Sequence, residues 1–162
     1  MRLAIISDTH LPRGSRALPE ACLTRLRAAD AILHAGDLID MSMLDQLRAL
    51  GPPVWAVHGN VDRPDVVAAL PERRVVEVGG ARIGMVHDAG PARGRLARQR
   101  AAFGDCDAVV FGHSHIPLHE TEGDFQLFNP GSPTDRRRQP RHTMGEATVA
   151  DGRLTFMLIV LD

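Results

Sequence analysis

The sequence predicts an α/β fold in which two packed β-sheets carry helices on their outer faces. Three observations point there. Short apolar strands alternate with helical stretches early in the chain, which implies parallel pairing. Glycine-containing turns join strand pairs after residue 70, and runs such as Leu3-Ala4-Ile5-Ile6 lack a polar face, as in strands buried on both sides.

The elements follow in order. Residues 3–7 read as a strand and 19–29 as a helix, with Leu23 and Leu26 three apart. A strand at 31–34 precedes a helix carrying Leu44, Leu47 and Leu50, with Ser42 as its expected N-cap and Gly51-Pro52-Pro53 as its stop. Residues 54–57 form the third strand. Strands at 74–78 and 81–86 flank Gly79-Gly80, a two-residue turn suited to an antiparallel hairpin. A helix at 91–103 and a strand at 108–111 come next. Hairpins then pair 118–122 with 125–128 around Gly123-Asp124, and 147–150 with 153–160 around Asp151-Gly152. The second half therefore reads as antiparallel.

No linker, repeat or low-complexity stretch divides the chain, so residues 1–162 read as one domain. A chain of 162 residues can bury roughly 70% of the surface it exposes unfolded, without disulfides. Cys22 and Cys106 are too few for a disulfide framework, which favours a reducing, cytoplasmic setting. The opening apolar run meets Asp8 too soon for a signal peptide, and residues 156–161 fall far short of the ~20 of a membrane span. All 19 basic residues are arginine and tyrosine is absent, which excludes a lysine Schiff base, a P-loop lysine and a tyrosine nucleophile. A formal net charge of −1 argues against general nucleic-acid binding. What stands out is eight histidines.

Polar residues gather where the strands should end: Ser7-Asp8-Thr9-His10, His34-Ala35-Gly36-Asp37, His58-Gly59-Asn60-Val61-Asp62, Val86-His87 and Gly112-His113-Ser114-His115. In three of these a glycine precedes the candidate ligand, letting the backbone turn sharply and approach an ion closely. From His10 through Asp37, Asn60 and His87 to His113 the separations are 27, 23, 27 and 26 residues, each about one strand and its return. Such returns bring strand ends to one edge of an α/β sheet. Seven candidates converge there: Asp8, His10, Asp37, Asn60, His87, His113 and His115. Two carboxylates, one amide oxygen and four imidazoles exceed the needs of one tetrahedral ion and suit two divalent ions sharing a carboxylate. Two such ions would carry a charge excess that invites hydroxide and an anionic phosphate, and would lower the pKa of a bridging water for attack on phosphorus.

Asp8-x-His10, Gly36-Asp37, Gly59-Asn60-x-Asp62, His87 and Gly112-His113-x-His115, followed by Asn129-Pro130-Gly131-Ser132, resemble the calcineurin-like metallophosphoesterase signature, most closely the YfcE-type small bacterial and archaeal phosphodiesterases. The resemblance spans residues 8–132. It implies a four-layer αββα sandwich of two mixed β-sheets. It implies Asp37 as the metal bridge, with Asp8, His10 and His115 on one ion and Asn60, His87 and His113 on the other. It further implies a phosphodiesterase in which Asn60 helps hold the phosphate, often supported by manganese. The mixed ligands also admit iron, nickel or zinc. The expected partners are a small phosphodiester substrate and a second copy in a homodimer.

Two positions depart from the family pattern. Val61 stands where many members have a histidine that, with the following acid, protonates the leaving group; valine cannot donate a proton. Asp88 follows His87 where close relatives often have a His-Gly-His run. His34, His58 and Asp62 lie beside the motifs; a histidine that ends a buried strand reads first as a hydrogen-bonded support behind the ligands, with replacement of the missing proton donor as the alternative. Arg137, in the run Arg136-Arg137-Arg138, is a candidate phosphate contact, although a solvated charged loop explains the run as well. His119 and His142 read as surface residues. The competing classes are a phosphomonoesterase or nucleotide hydrolase on the same site, and a non-catalytic partner-binding scaffold of the same fold, like the related retromer subunit. A scaffold is expected to erode its ligands, and here all seven positions remain.

Overall fold

Alternation along β1 (Arg2–Ile6) decides the layering. In the computed structural model, which describes Met1–Asp162, Leu3 and Ile5 enter one core while Ala4 and Ile6 enter another. β1 pairs in parallel with β2 (Ala31–His34), and β2 with β3 (Val54–Ala56). The crossovers α1 (Glu20–Ala28) and α2 (Met41–Arg48) pack Cys22, Leu26, Met43, Leu44 and Leu47 against Ala4, Ile6 and Ile32. A short α3 (Pro64–Ala69) adds Val66 to that layer.

The second sheet consists of β4 (Arg73–Val78), β5 (Ala81–Val86), β6 (Ala108–Val110), β7 (Leu118–Glu122) and β8 (Phe125–Asn129), in the order β4-β5-β6-β8-β7. α4 (Arg95–Ala102) covers its outer face, where Phe103, Val109, Phe111 and Leu127 cluster with Leu96. β9 (Thr143–Ala150) and β10 (Arg153–Val160) complete the first sheet, whose order is β10-β9-β1-β2-β3. Leu3, Ile5, Leu33, Ile83, Met85, Val110 and Phe128 fill the space between the sheets, and Phe128 stacks on Phe156 with ring centroids 4.6 Å apart. The result is the four-layer helix–sheet–sheet–helix arrangement with both sheets mixed.

Several local expectations are corrected. The N-cap of α2 is Asp40, whose carboxylate accepts the Ser42 N–H; Ser42 itself lies inside the helix. The fourth helix begins at Arg95, because Gly94 at its N-cap adopts φ 70°. α3 was not anticipated, since six residues with one buried side chain carry no readable periodicity. The second half is not simply antiparallel: β5, β6 and β8 run parallel, and the hairpin partners β4 and β7 flank them. The final hairpin leaves that sheet and pairs β9 antiparallel with β1. Hydrogen-bond partners separated by most of the chain leave no mark in local periodicity. No helix is long and apolar enough to cross a membrane.

Truncating Phe128, fully buried between the sheets, removes the central ring of the inter-sheet core. Phe128→Ala is expected to lower unfolding free energy by about 3–5 kcal/mol in urea titrations. A loss under 1 kcal/mol would contradict this packing.

Candidate metal centre

Parallel pairing places the carboxyl ends of β1, β2 and β3 side by side, and the ends of β5 and β6 lie against them from the second sheet. Within each sheet, neighbouring loops are tied together. Asp8 N–H donates to Gly36 O, His10 N–H to Asp37 O and Gly112 N–H to His87 O, at 3.0, 3.1 and 2.9 Å. From the other sheet, the His113 N–H reaches both Asp8 carboxylate oxygens at 3.2 and 3.1 Å.

The backbone conformation of these loops is unusual. Asp8, His10, Asp37, His113 and His115 all have positive φ, between 49° and 69°. A left-handed L-residue costs about 1–2 kcal/mol, so five of them represent strain comparable with a domain's net stability. The three motif glycines solve a different problem from the one expected of them. Only Gly36 needs a positive φ, of 95°. Gly59 and Gly112 are needed for space: a Cβ on Gly59 would lie 2.1 Å from Asp37 Oδ1, and one on Gly112 1.9 Å from Ser7 Oγ.

Seven sequence-derived candidates meet here as two adjoining groups. His115 Nε2 lies 3.5 Å and His10 Nε2 3.9 Å from Asp8 Oδ1. Asn60 Oδ1 lies 3.1 Å from His87 Nε2 and 3.0 Å from His113 Nδ1. Asp37 stands between the groups, its Oδ2 3.3 Å from His10 Nε2 and 3.1 Å from His87 Nε2. Separations of this size are the edges produced when donors surround an ion with bonds of about 2.0–2.2 Å. His87 donates Nδ1–H to Ala35 O at 2.7 Å, and His115 donates its own to Asp135 O, so each directs Nε2 towards the carboxylates. His10 Nε2 is buried without a hydrogen-bond partner. An orphaned imidazole nitrogen facing two carboxylates fits a divalent cation.

The charges agree. Burial disfavours an ionised Asp37, but contacts from His10 and His87 outweigh it and hold the carboxyl well below the usual range. Burial likewise works against a charged His10, yet Asp37 and Asp8 raise it to about 9. His87 moves upward for the same reason.

The neighbouring candidates separate by role. Asp62 accepts the N–H groups of Asp37, Ile39 and Gly59 at 3.1, 2.6 and 2.6 Å, which is a carboxylate fastening two ligand loops and not a proton donor. His34 is fully buried and occupied at both nitrogens: Nδ1 accepts from Gly36 N–H, and Nε2–H donates to Thr9 Oγ1. Complete burial lowers its pKa to about 4, so at neutral pH it is an uncharged imidazole and not a general acid. His58 is half-buried and lines a cavity of about 200 Å³ with Asn60, Glu72, His87 and Asp88. The Val61 side chain is exposed, while its N–H donates to Asp37 Oδ1 at 3.0 Å. Arg137 pairs with Asp135 at 3.3 Å, on the Nδ1 side of His10.

Asp135 itself escaped the sequence reading. Its carboxylate lies 3.6 Å from His10 Nδ1 and is flanked by Arg16 and Arg137. Burial opposes its charge, but those two arginines hold its pKa below the ordinary value. Ser132 Oγ accepts the Asp135 N–H and donates to Asp8 O, and Thr134 Oγ1 donates to Thr9 O. The Asn129-Pro130-Gly131-Ser132 segment thus delivers Asp135 behind the ligands. Only its position after that segment could have flagged it.

Residues 1–152 match the family described as the calcineurin-like phosphoesterase superfamily domain. A protein of Methanothermobacter thermautotrophicus named "Probable metallophosphoesterase" is 37% identical over 136 residues, 83% of this chain and 78% of that one. A like-named protein of Methanocaldococcus jannaschii is 36% identical over 137 residues, covering 83% and 69%. Among solved structures, wild-type Vps29 of Entamoeba histolytica complexed with Zn2+ superposes with a TM-score of 0.79 at 25% identity, covering all of both chains.

Two outcomes test the centre. Asp135→Ala should weaken Mn2+ binding about 10–100-fold by calorimetry while the circular dichroism spectrum stays unchanged. Metal must also displace the His10 proton, so apparent affinity should rise with pH from neutrality and level off above about 9. An affinity independent of pH across that range would remove His10 from the ligand set.

Proposed function

We propose that this chain, which belongs to the calcineurin-like phosphoesterase superfamily and is on that ground a metal-dependent phosphoesterase, hydrolyses small phosphodiesters at a centre of two divalent ions. The observation that carries the reading is Asp37 Oδ2, placed within 3.3 Å of an imidazole nitrogen from each group, as a bridging carboxylate requires. When bound, two such ions supply an activated hydroxide at neutral pH and neutralise charge on phosphoryl oxygens.

The chain's own residues do the rest. Asp37 and Asp8 concentrate negative charge where the cations belong, and the outward Nδ1 contacts fix which imidazole nitrogen faces inward. Asn60 offers Oδ1 to the second group, while its exposed Nδ2 has no partner within the chain and is free to donate to a phosphoryl oxygen. The adjoining cavity of about 200 Å³ suits a small ester substituent. No side chain at position 61 can protonate a departing alkoxide, which favours leaving groups that depart as stable anions. Manganese is the proposed metal, with zinc, iron and nickel compatible with the same donors.

The scaffold reading draws on the Vps29 likeness. A Vps29 complexed with Zn2+ means that metal occupancy alone does not separate a scaffold from an enzyme, so turnover has to decide. Purified protein with Mn2+ should cleave bis(p-nitrophenyl) phosphate faster than p-nitrophenyl phosphate. Asp37→Ala and His113→Ala should each lower that rate by at least about 100-fold, more than a supporting residue commands. Unchanged rates in either variant would sink the assignment. Val61→His should raise turnover of an alkyl diester by up to about 100-fold and leave the nitrophenyl ester nearly unaffected.

A further inference from the structure

Three of the four sheet edges are protected against pairing. β3 has only three residues, β4 carries Arg73, Arg74 and Glu77, and β7 carries His119, Glu120 and Glu122. β10 is different. Between Arg153 and Asp162 it has no charge, proline or glycine, and Met157, Leu158 and Val160 are exposed to 59%, 42% and 55%. A long uncovered apolar edge is a template for another strand.

Its free hydrogen-bonding groups can be assigned. Leu161 N–H donates inward to His142 O, and Val149, opposite Leu154, donates away from β10 to Met1 O. Antiparallel alternation then turns the even-numbered residues of β10 outward. Gln126 Nε2 already occupies Leu154 O. Phe156, Leu158 and Val160 are left presenting N–H and C=O to the outside.

We propose that this edge pairs antiparallel with the same edge of a second copy, about a twofold axis at Leu158. Phe156 then faces the partner's Val160 and Leu158 faces the partner's Leu158, closing about six main-chain hydrogen bonds at two per pair. Met157 meets the partner's Ile159 on the other face. The charge pattern selects a copy of the same chain: the stretch between is neutral, and Arg153 comes at the opposite end beside the partner's Asp162, whose carboxylate, held in place by the His142 of its own chain, would be shared with it. The two sheets merge into one, in an isologous dimer.

Cysteine cross-linking reads this register. Facing hydrogen-bonded residues have Cα atoms about 5.5 Å apart, within disulfide reach, and the native Cys22 and Cys106 are buried. Leu158→Cys should form a disulfide-linked dimer under mild oxidation. Thr155→Cys, offset from its counterpart by about 20 Å, should not. Leu158→Lys should convert a dimer into a monomer in sedimentation while its circular dichroism spectrum and phosphoesterase rate are retained. Wild-type protein that stays monomeric at high micromolar concentration, a dimer that survives Leu158→Lys, or equal cross-linking at position 155 would each overturn the proposal.

Discussion

Two carboxylates held side by side out of water govern the rest of the molecule. Asp8 is fully buried and Asp37 nearly so, and His10 Nε2 and His87 Nε2 lie within 3.9 Å of oxygens on both. The two carboxylates offer oxygens within 4.8 Å of each other, and like charges so close in a poorly polarisable interior demand compensation. The chain supplies part of it: the His113 and Val61 N–H groups donate to the carboxylates, and the imidazoles of His10, His87 and His115 stand against them. The remainder is what divalent cations contribute.

That demand explains the strained loops. Left-handed backbone at five ligand positions would relax in an isolated turn. Here it is over-determined by contacts that cross the whole fold. Ser132 and Thr134 fasten the β1 loop from the far end of the chain, and Asp62 fastens the β2 and β3 loops together. Stability built in the three apolar clusters is thereby spent at the edge where the candidate ligands meet. The missing lysine and tyrosine are consistent with this arrangement, because a reaction run through bound metal asks the side chains only to hold, orient and exclude. Arginine takes a supporting part, as Arg16 and Arg137 do around Asp135.

The ligand motifs were legible in the sequence for a local reason. A strand that ends in a glycine and a ligand within two or three residues is a short-range pattern, and regular separations between such ends follow from the length of one strand plus its return. The layering was legible too, because Leu3-Ala4-Ile5-Ile6 and its counterparts show both faces of a strand to be apolar. Several readings failed where the deciding partner lay far away. Gly59 and Gly112 looked like turn residues and proved to be clearances for Asp37 and Ser7. His34, read first as a support behind the ligands, needed the fold to show which partners close its two nitrogens.

By itself, then, the sequence determined the strand ends, the seven candidate ligands, their convergence on one edge and the absence of a proton donor at Val61. Tertiary structure alone decided that β9 returns to β1, that Asp135 stands behind His10, that Asp62 is a fastener, and that β10 is left with a bare apolar edge. The physical reason is the range of the interactions. Residue type and period are written into neighbouring positions, whereas a hydrogen bond from Ser132 to Asp8, or an edge with no strand beside it, exists only once segments distant in the chain have been packed together.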